Sequence, residues 1–200
     1  MYLRIGDPAR AESNVRRGLA LIAPARDDRA TAEGLNLLGE VYVAKTQFPE
    51  AASCFHRALD LARQRGDRLA QANALMKLGL DSIAISAHAE GVAFLEDSRQ
   101  LFSKIGTPTS EATVLYHLAL AYTEAGDLAR AKEMAEAAVT IAEKLMGTVA
   151  AEELRVSFLA STHDYYFALV DILMRRGETA EAWQVADRAS IRMSTIGSFA

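Results

Sequence analysis

"LALAYTEAGDLARAKEMAEAA", Leu118–Ala138, and "LVDILMRRGETAEAWQVADRA", Leu169–Ala189, decide the fold. Each opens on apolar residues that return every third or fourth place. Each breaks at a glycine followed by an acid, Gly126-Asp127 and Gly177-Glu178, and resumes with alanines at the same spacing. Recurrence at i, i+3 and i+4 marks one face of a helix. Glycine after such a stretch ends the helix by taking the left-handed conformation. Each stretch therefore predicts two antiparallel helices joined by a tight turn.

The same pattern runs outward through the chain. Leu38, Gly39 and Tyr42 return forty residues later as Leu78, Gly79 and Ser82, and forty later again as Leu118, Ala119 and Tyr122. Tyr2 stands forty residues before Tyr42, and Leu35, Leu75 and Leu115 keep the step. Small residues form two further columns, Ala11, Ala51, Gly91, Ala131 and Gly18, Ala58, Ser98, Ala138. The last repetition, with Tyr166, Leu169, Leu173, Ala182 and Ala189, comes after 51 residues instead of 40. Of fourteen aligned small positions thirteen hold a small residue, Val170 being the exception, which chance does not produce. Without a bulky side chain, helix backbones approach closely and a neighbour's Leu, Tyr or Phe fills the gap. The eleven extra residues are close to three helical turns, so lengthening a helix by that amount keeps its apolar face. Phe158, Tyr165, Leu169 and Ile172 continue one stripe, which predicts a long helix over residues 149–175. A short separate helix before His163 satisfies the same spacing.

Composition agrees. Half of the 200 residues are apolar and 24% are charged, the balance of a core-forming protein and not of a disordered one. The net charge of −4, with basic residues scattered among acids, argues against a nucleic-acid partner. No run of about 18 apolar residues is present to span a membrane, and "MYLRIGDPARAES" lacks the apolar segment of a signal peptide. One cysteine, Cys54, excludes an intrachain disulfide and suits a reducing, cytoplasmic setting.

Leu35, Leu38, Gly39, Tyr42, Ala51, Phe55 and Ala58 stand in the order of the tetratricopeptide repeat, which the chain resembles over nearly its whole length. The resemblance implies an all-α, right-handed superhelical solenoid of antiparallel helix pairs, here with a period of about 40 residues. The units fall at residues 1–31 (partial), 32–71, 72–111, 112–148 and 149–200, the last with an elongated first helix. Stacking such units buries one continuous core that no pair could make alone. The first unit starts partway into a helix and the chain stops in apolar residues, so the expectation is a single solenoid cut from a larger protein. Apolar edges at the two ends offer a surface for a homodimer through the terminal helices. Arg155, Phe158, Leu159, Tyr165, Tyr166, Gly177, Ala182, Trp183, Asp187, Arg188 and Ala189 resemble the last repeat before a CHAT domain, a caspase- and separase-like peptidase module. Asp187 replaces the usual glutamate. That resemblance implies a recognition region beside a peptidase.

No constellation for chemistry stands out. His56, His88, His117 and His163 lie apart, without HExxH or a second ligand one turn away, so no metal site is expected. Cys54 and His56 point to different helix faces and form no nucleophile–base pair; a buried structural thiol is the simpler reading. Arg65-Gly66-Asp67 is an inter-unit turn before it is an adhesion motif, and no phosphate loop occurs. The expectation is no catalysis, no cofactor and a protein or peptide partner. The tetratricopeptide resemblance implies that the first helices line a concave groove: Asn36, Glu40 and Val43; Met76, Lys77, Leu80 and Ile83; Tyr116, Leu120 and Glu124; Phe167, Asp171 and Met174. The alternative is that Met76, Leu80, Ile83, Tyr116 and Phe167 pack between repeats. Lys77 stands nearly alone, without the Lys/Asn set that clamps a terminal carboxylate in some relatives. A rival setting is a peptide-sensing module of a transcription regulator or signalling ATPase.

Overall fold

The computed structural model describes the backbone of residues 7–148 and 152–197 and the side chains of residues 7–147 and 163–190. Tyr2 and the side chains of Arg155, Phe158 and Leu159 lie outside them. The described residues form nine α-helices and one 3-10 turn, with no strand among them. The chain divides into two compact units, Met1–Ile105 and Gly106–Ala200.

In the first unit, α1 (Pro8–Ile22) leads through the 3-10 turn Ala23–Ala25 to α2 (Asp28–Ala44), α3 (Phe48–Gln64), α4 (Arg68–Ala84) and α5 (His88–Ile105). Each helix packs on the next, and α2 also touches α4, so the first helices of successive pairs lie side by side. The second unit repeats this plan with α6 (Pro108–Glu124), α7 (Leu128–Thr148), α8 (Glu152–Arg175) and α9 (Thr179–Gly197), α6 touching α8. The chain is thus an all-α array of helix pairs.

The turns are built alike. After α2, α3, α4, α6 and α8 the backbone N–H two residues past the cap reaches back to a carbonyl in the last turn: Gln47 to Tyr42, Asp67 to Ala62, Ala87 to Ser82, Asp127 to Tyr122 and Glu178 to Leu173, all at 2.8–2.9 Å. This closure needs one left-handed residue. Gly66, Gly126 and Gly177 supply it at φ 67–78°, while Thr46 and Ser86 adopt it at φ 57° and 65° despite their side chains; Gly106 and Arg26 are left-handed too, at φ 80° and 49°. The acid after the turn then starts the next helix. The Asp27 carboxylate accepts from the N–H groups of Arg29 and Ala30, that of Asp67 from Ala70, and that of Asp127 from Arg130, at 3.0–3.1 Å, satisfying donors that a helix start leaves free.

The small columns are where helices meet. Ala11, Ala51, Gly91 and Ala131 are buried, as are Ala58, Ser98 and Ala138. Phe55, fully buried, fills the notch at Gly39, where an added Cβ would collide with its ring. Leu95 fills the notch at Gly79, and there the backbone of Gly91 is also only 2.9 Å from such a Cβ. The Ser98 hydroxyl, buried in α5, donates to the Ala72 carbonyl at 2.8 Å, so this polar group costs little. Leu38, Leu78 and Leu118, and Tyr42 and Tyr122, complete the core.

The longer last step is divided between two helices. α7 has 21 residues and α8 has 24, against 17 in α2, α3, α4 and α6. α8 is continuous through His163 to Arg175, and Tyr165, Leu169 and Ile172 lie along its buried face. Lys132 ties α7 to the start of α9, donating to Glu178 at 2.6 Å and Glu181 at 2.8 Å. Lys132, then Arg176, hold the Glu178 carboxyl down at about 2.

Candidate partner-binding face

With those columns turned inward, the other positions of the first helices are left for contact. In the first unit, Asn36, Glu40 and Val43 on α2 and Met76, Lys77, Leu80 and Ile83 on α4 are all half-buried. Four of them, Glu40, Val43, Lys77 and Leu80, join Phe55 and Asp81 around one recess of about 240 Å³. Lys77 donates to Glu40 across its mouth, joining α4 to α2. Asn36 lies instead beside a second hollow with Arg29, Asp67 and Asn73, and its side-chain oxygen is buried without a hydrogen-bond partner.

In the second unit the same face is more open. Leu120 on α6 and Phe167 and Met174 on α8 are 37%, 60% and 51% exposed. Glu124 is exposed, and Asp171 is exposed and pairs with Arg175 one turn on at 2.8 Å. Tyr116 is half-buried, its ring 5.2 Å from that of Tyr165 on α8, so it packs between helix pairs as well as edging the face. Phe167 lies edge-on to His163 at 4.2 Å. Trp183, on α9, is three-quarters exposed.

Asp81 is the residue that sequence reasoning passed over. It is 4% exposed, and its Oδ1 is buried without a partner. Burial pushes its carboxyl above the usual aspartate range, against a smaller opposing pull from His56. The repeat register held the signal: forty residues to either side stand Val41 and Ala121, and Ile172 follows after the longer step. A carboxylate replaces an apolar residue in an otherwise buried apolar column. Cys54 is buried, and desolvation pushes its thiol up, away from the reactive thiolate. Burial pulls the His117 imidazole down. Among the described residues no group of three His, Cys, Asp or Glu side chains is placed to hold a metal, and no helix is long and apolar enough to cross a membrane.

Stacked helix pairs with a two-residue-type notch define the class. The tetratricopeptide-repeat family matches residues 71–144 and residues 35–69, and the chain carries tetratricopeptide repeats there. The regulatory protein AfsR of Streptomyces griseus is 30% identical over 113 residues, covering 56% of this chain; the chain spans only 12% of that relative's length. BtubC from P. vanneervenii superposes with a TM-score of 0.81 at 19% identity, over 99% of this chain and 78% of its own. The aspartyl phosphate phosphatase F of Bacillus subtilis does so at 0.77 and 12% identity, over 92% and 46%. At these identities the structures share the fold alone. Tetratricopeptide-repeat proteins are in general protein-interaction scaffolds.

Proposed function

We propose that the first-helix faces, Asn36, Glu40, Val43, Met76, Lys77 and Leu80 in the first unit and Tyr116, Leu120, Glu124, Phe167, Asp171 and Met174 in the second, each bind a segment of a partner protein. The carrying observation is the exposure of Leu120, Phe167 and Met174 on helices whose opposite sides are fully buried. Adaptable apolar side chains between charged ones suit a helix or extended peptide. A face preformed by the stack orders few of its own residues on binding, which lowers the entropic cost. Its work is recognition, with no catalytic step of its own.

Two settings use this face. The likeness to a regulatory protein favours a module that senses a peptide or protein within a larger regulator. The resemblance over the forty residues Leu154–Met193, which includes Asp187, Arg188 and Ala189, favours a recognition region beside a CHAT-type peptidase. A photo-crosslinking residue placed at Leu120 or Met174, and for comparison at Asp97 or Thr140 on second helices, tests the face in cells. Protein adducts concentrated at Leu120 and Met174 support it. Equal capture from Asp97 and Thr140 overturns it.

A further inference from the structure

The Asp81 carboxylate stands in a place where the other helix pairs bury Val41, Ala121 and Ile172. Packing does not require an acid there. A buried, uncompensated charge is among the most costly groups a fold retains. Its position adds to the cost. Asp81 lies three residues from the end of α4, its carbonyl accepting from the Ile85 N–H, at the negative end of the helix dipole. Lys77, one turn earlier on the same helix, is placed to neutralise it but is engaged by Glu40. With Glu40, Lys77 and Asp81 around it, the recess carries a formal charge of −1. The remaining walls are Val43, Phe55 and Leu80. At about 240 Å³ it falls below the roughly 300–1,000 Å³ of small-molecule sites, and suits one long side chain.

We propose that this recess receives a basic side chain, arginine or lysine, of the partner segment: the cation pairs with Asp81 while its methylene stem packs on Val43, Phe55 and Leu80. This rests on the reading of the first-helix face as the binding face. It gives the first unit's face a selectivity for basic segments. A guanidinium or ammonium brings hydrogen bonds that a buried carboxylate otherwise lacks.

The test uses four capped tripeptides, Gly-X-Gly with X arginine, lysine, norleucine or glutamate, titrated into the whole labelled chain and followed by amide NMR shifts. Concentrations reach about 20 mM, enough to register millimolar binding. The arginine and lysine peptides are expected to shift the amides of Val43, Phe55, Leu80 and Asp81 saturably, and their relative affinity identifies the preferred head group. Asp81→Ala and Asp81→Asn are expected to weaken both about tenfold or more. Because Ala121 holds the equivalent place, Asp81→Ala is also expected to keep or raise the melting temperature, by about 2–5 °C. A norleucine peptide that binds as well, variants that bind unchanged, or an absence of shifts with either basic peptide would overturn the proposal. So would an Asp81→Ala chain that melts several degrees lower. Crosslinking from Leu120 and Met174 would stand through any of those results, so the two readings fail separately.

Discussion

The first-helix faces of the two units follow one register and differ in what they offer. On α2 and α4 the outward residues are half-buried and charged at the centre, with Glu40 and Lys77 paired and Asp81 beneath them. On α6 and α8 the corresponding face presents Leu120, Phe167 and Met174 to solvent. Inward positions are fixed by helix backbones in contact, so they repeat. Outward positions carry no such constraint, so a repeat protein can vary its contacts without altering its core. The first unit presents charged side chains around a recess and the second an exposed apolar area.

The widest gap between the faces should appear with one residue type. Phe55→Ala removes the knob that fills the Gly39 notch and is expected to cost about 3–5 kcal/mol in denaturant unfolding. Phe167→Ala, on the open face, should change stability by no more than about 0.5 kcal/mol while reducing crosslinked partner. Comparable losses of stability would erase the distinction between inner and outer positions. Next in size is Gly79→Ala, whose new Cβ meets the Gly91 backbone and the Leu95 side chain. It should cost about 1–3 kcal/mol, measured the same way.

The turns give a finer comparison. Gly126→Ala places a side chain at φ 78° and should cost about 1–2 kcal/mol. Thr46→Gly and Ser86→Gly relieve the same conformation in the first unit, and each should gain at most about 1 kcal/mol, since glycine also loosens the unfolded chain. The smallest effect is one of pH. Glu178 titrates near 2 when folded, below its ordinary value, so its ion pairs with Lys132 and Arg176 stabilise the fold above about pH 4.5. That contribution drains away as pH falls toward 2. Glu178→Gln should flatten this part of an acid-unfolding profile and leave the first unit's unfolding unchanged.

Much of this was legible in the sequence. Glycine announced the turns, and the forty-residue columns announced the meeting faces, because both are backbone requirements that few residue types meet. Thr46 and Ser86 were silent, since neither advertises a left-handed conformation. The sharing of extra length between α7 and α8 was hidden too, because whole helical turns are interchangeable along an apolar stripe. The exposure of Phe167 against the half-burial of Met76 depends on what a neighbouring helix places opposite. Asp81 was visible in its column but masked by the apolar residues at the equivalent places, Val41 and Ala121. The face as a set followed from the family resemblance rather than from any motif of its own.

The left-handed joints at Thr46 and Ser86 sit one full repeat apart. A splice that deletes residues 47–86 therefore reconnects the chain at an equivalent point, with Ala87 following Thr46. Leu95 would then face Gly39, as a smaller substitute for Phe55. Such a shortened array would lose the basic-side-chain socket in one cut and retain a closed helix stack, so the number of modules is a quantity that gene duplication or an engineer can adjust independently of what each module recognises.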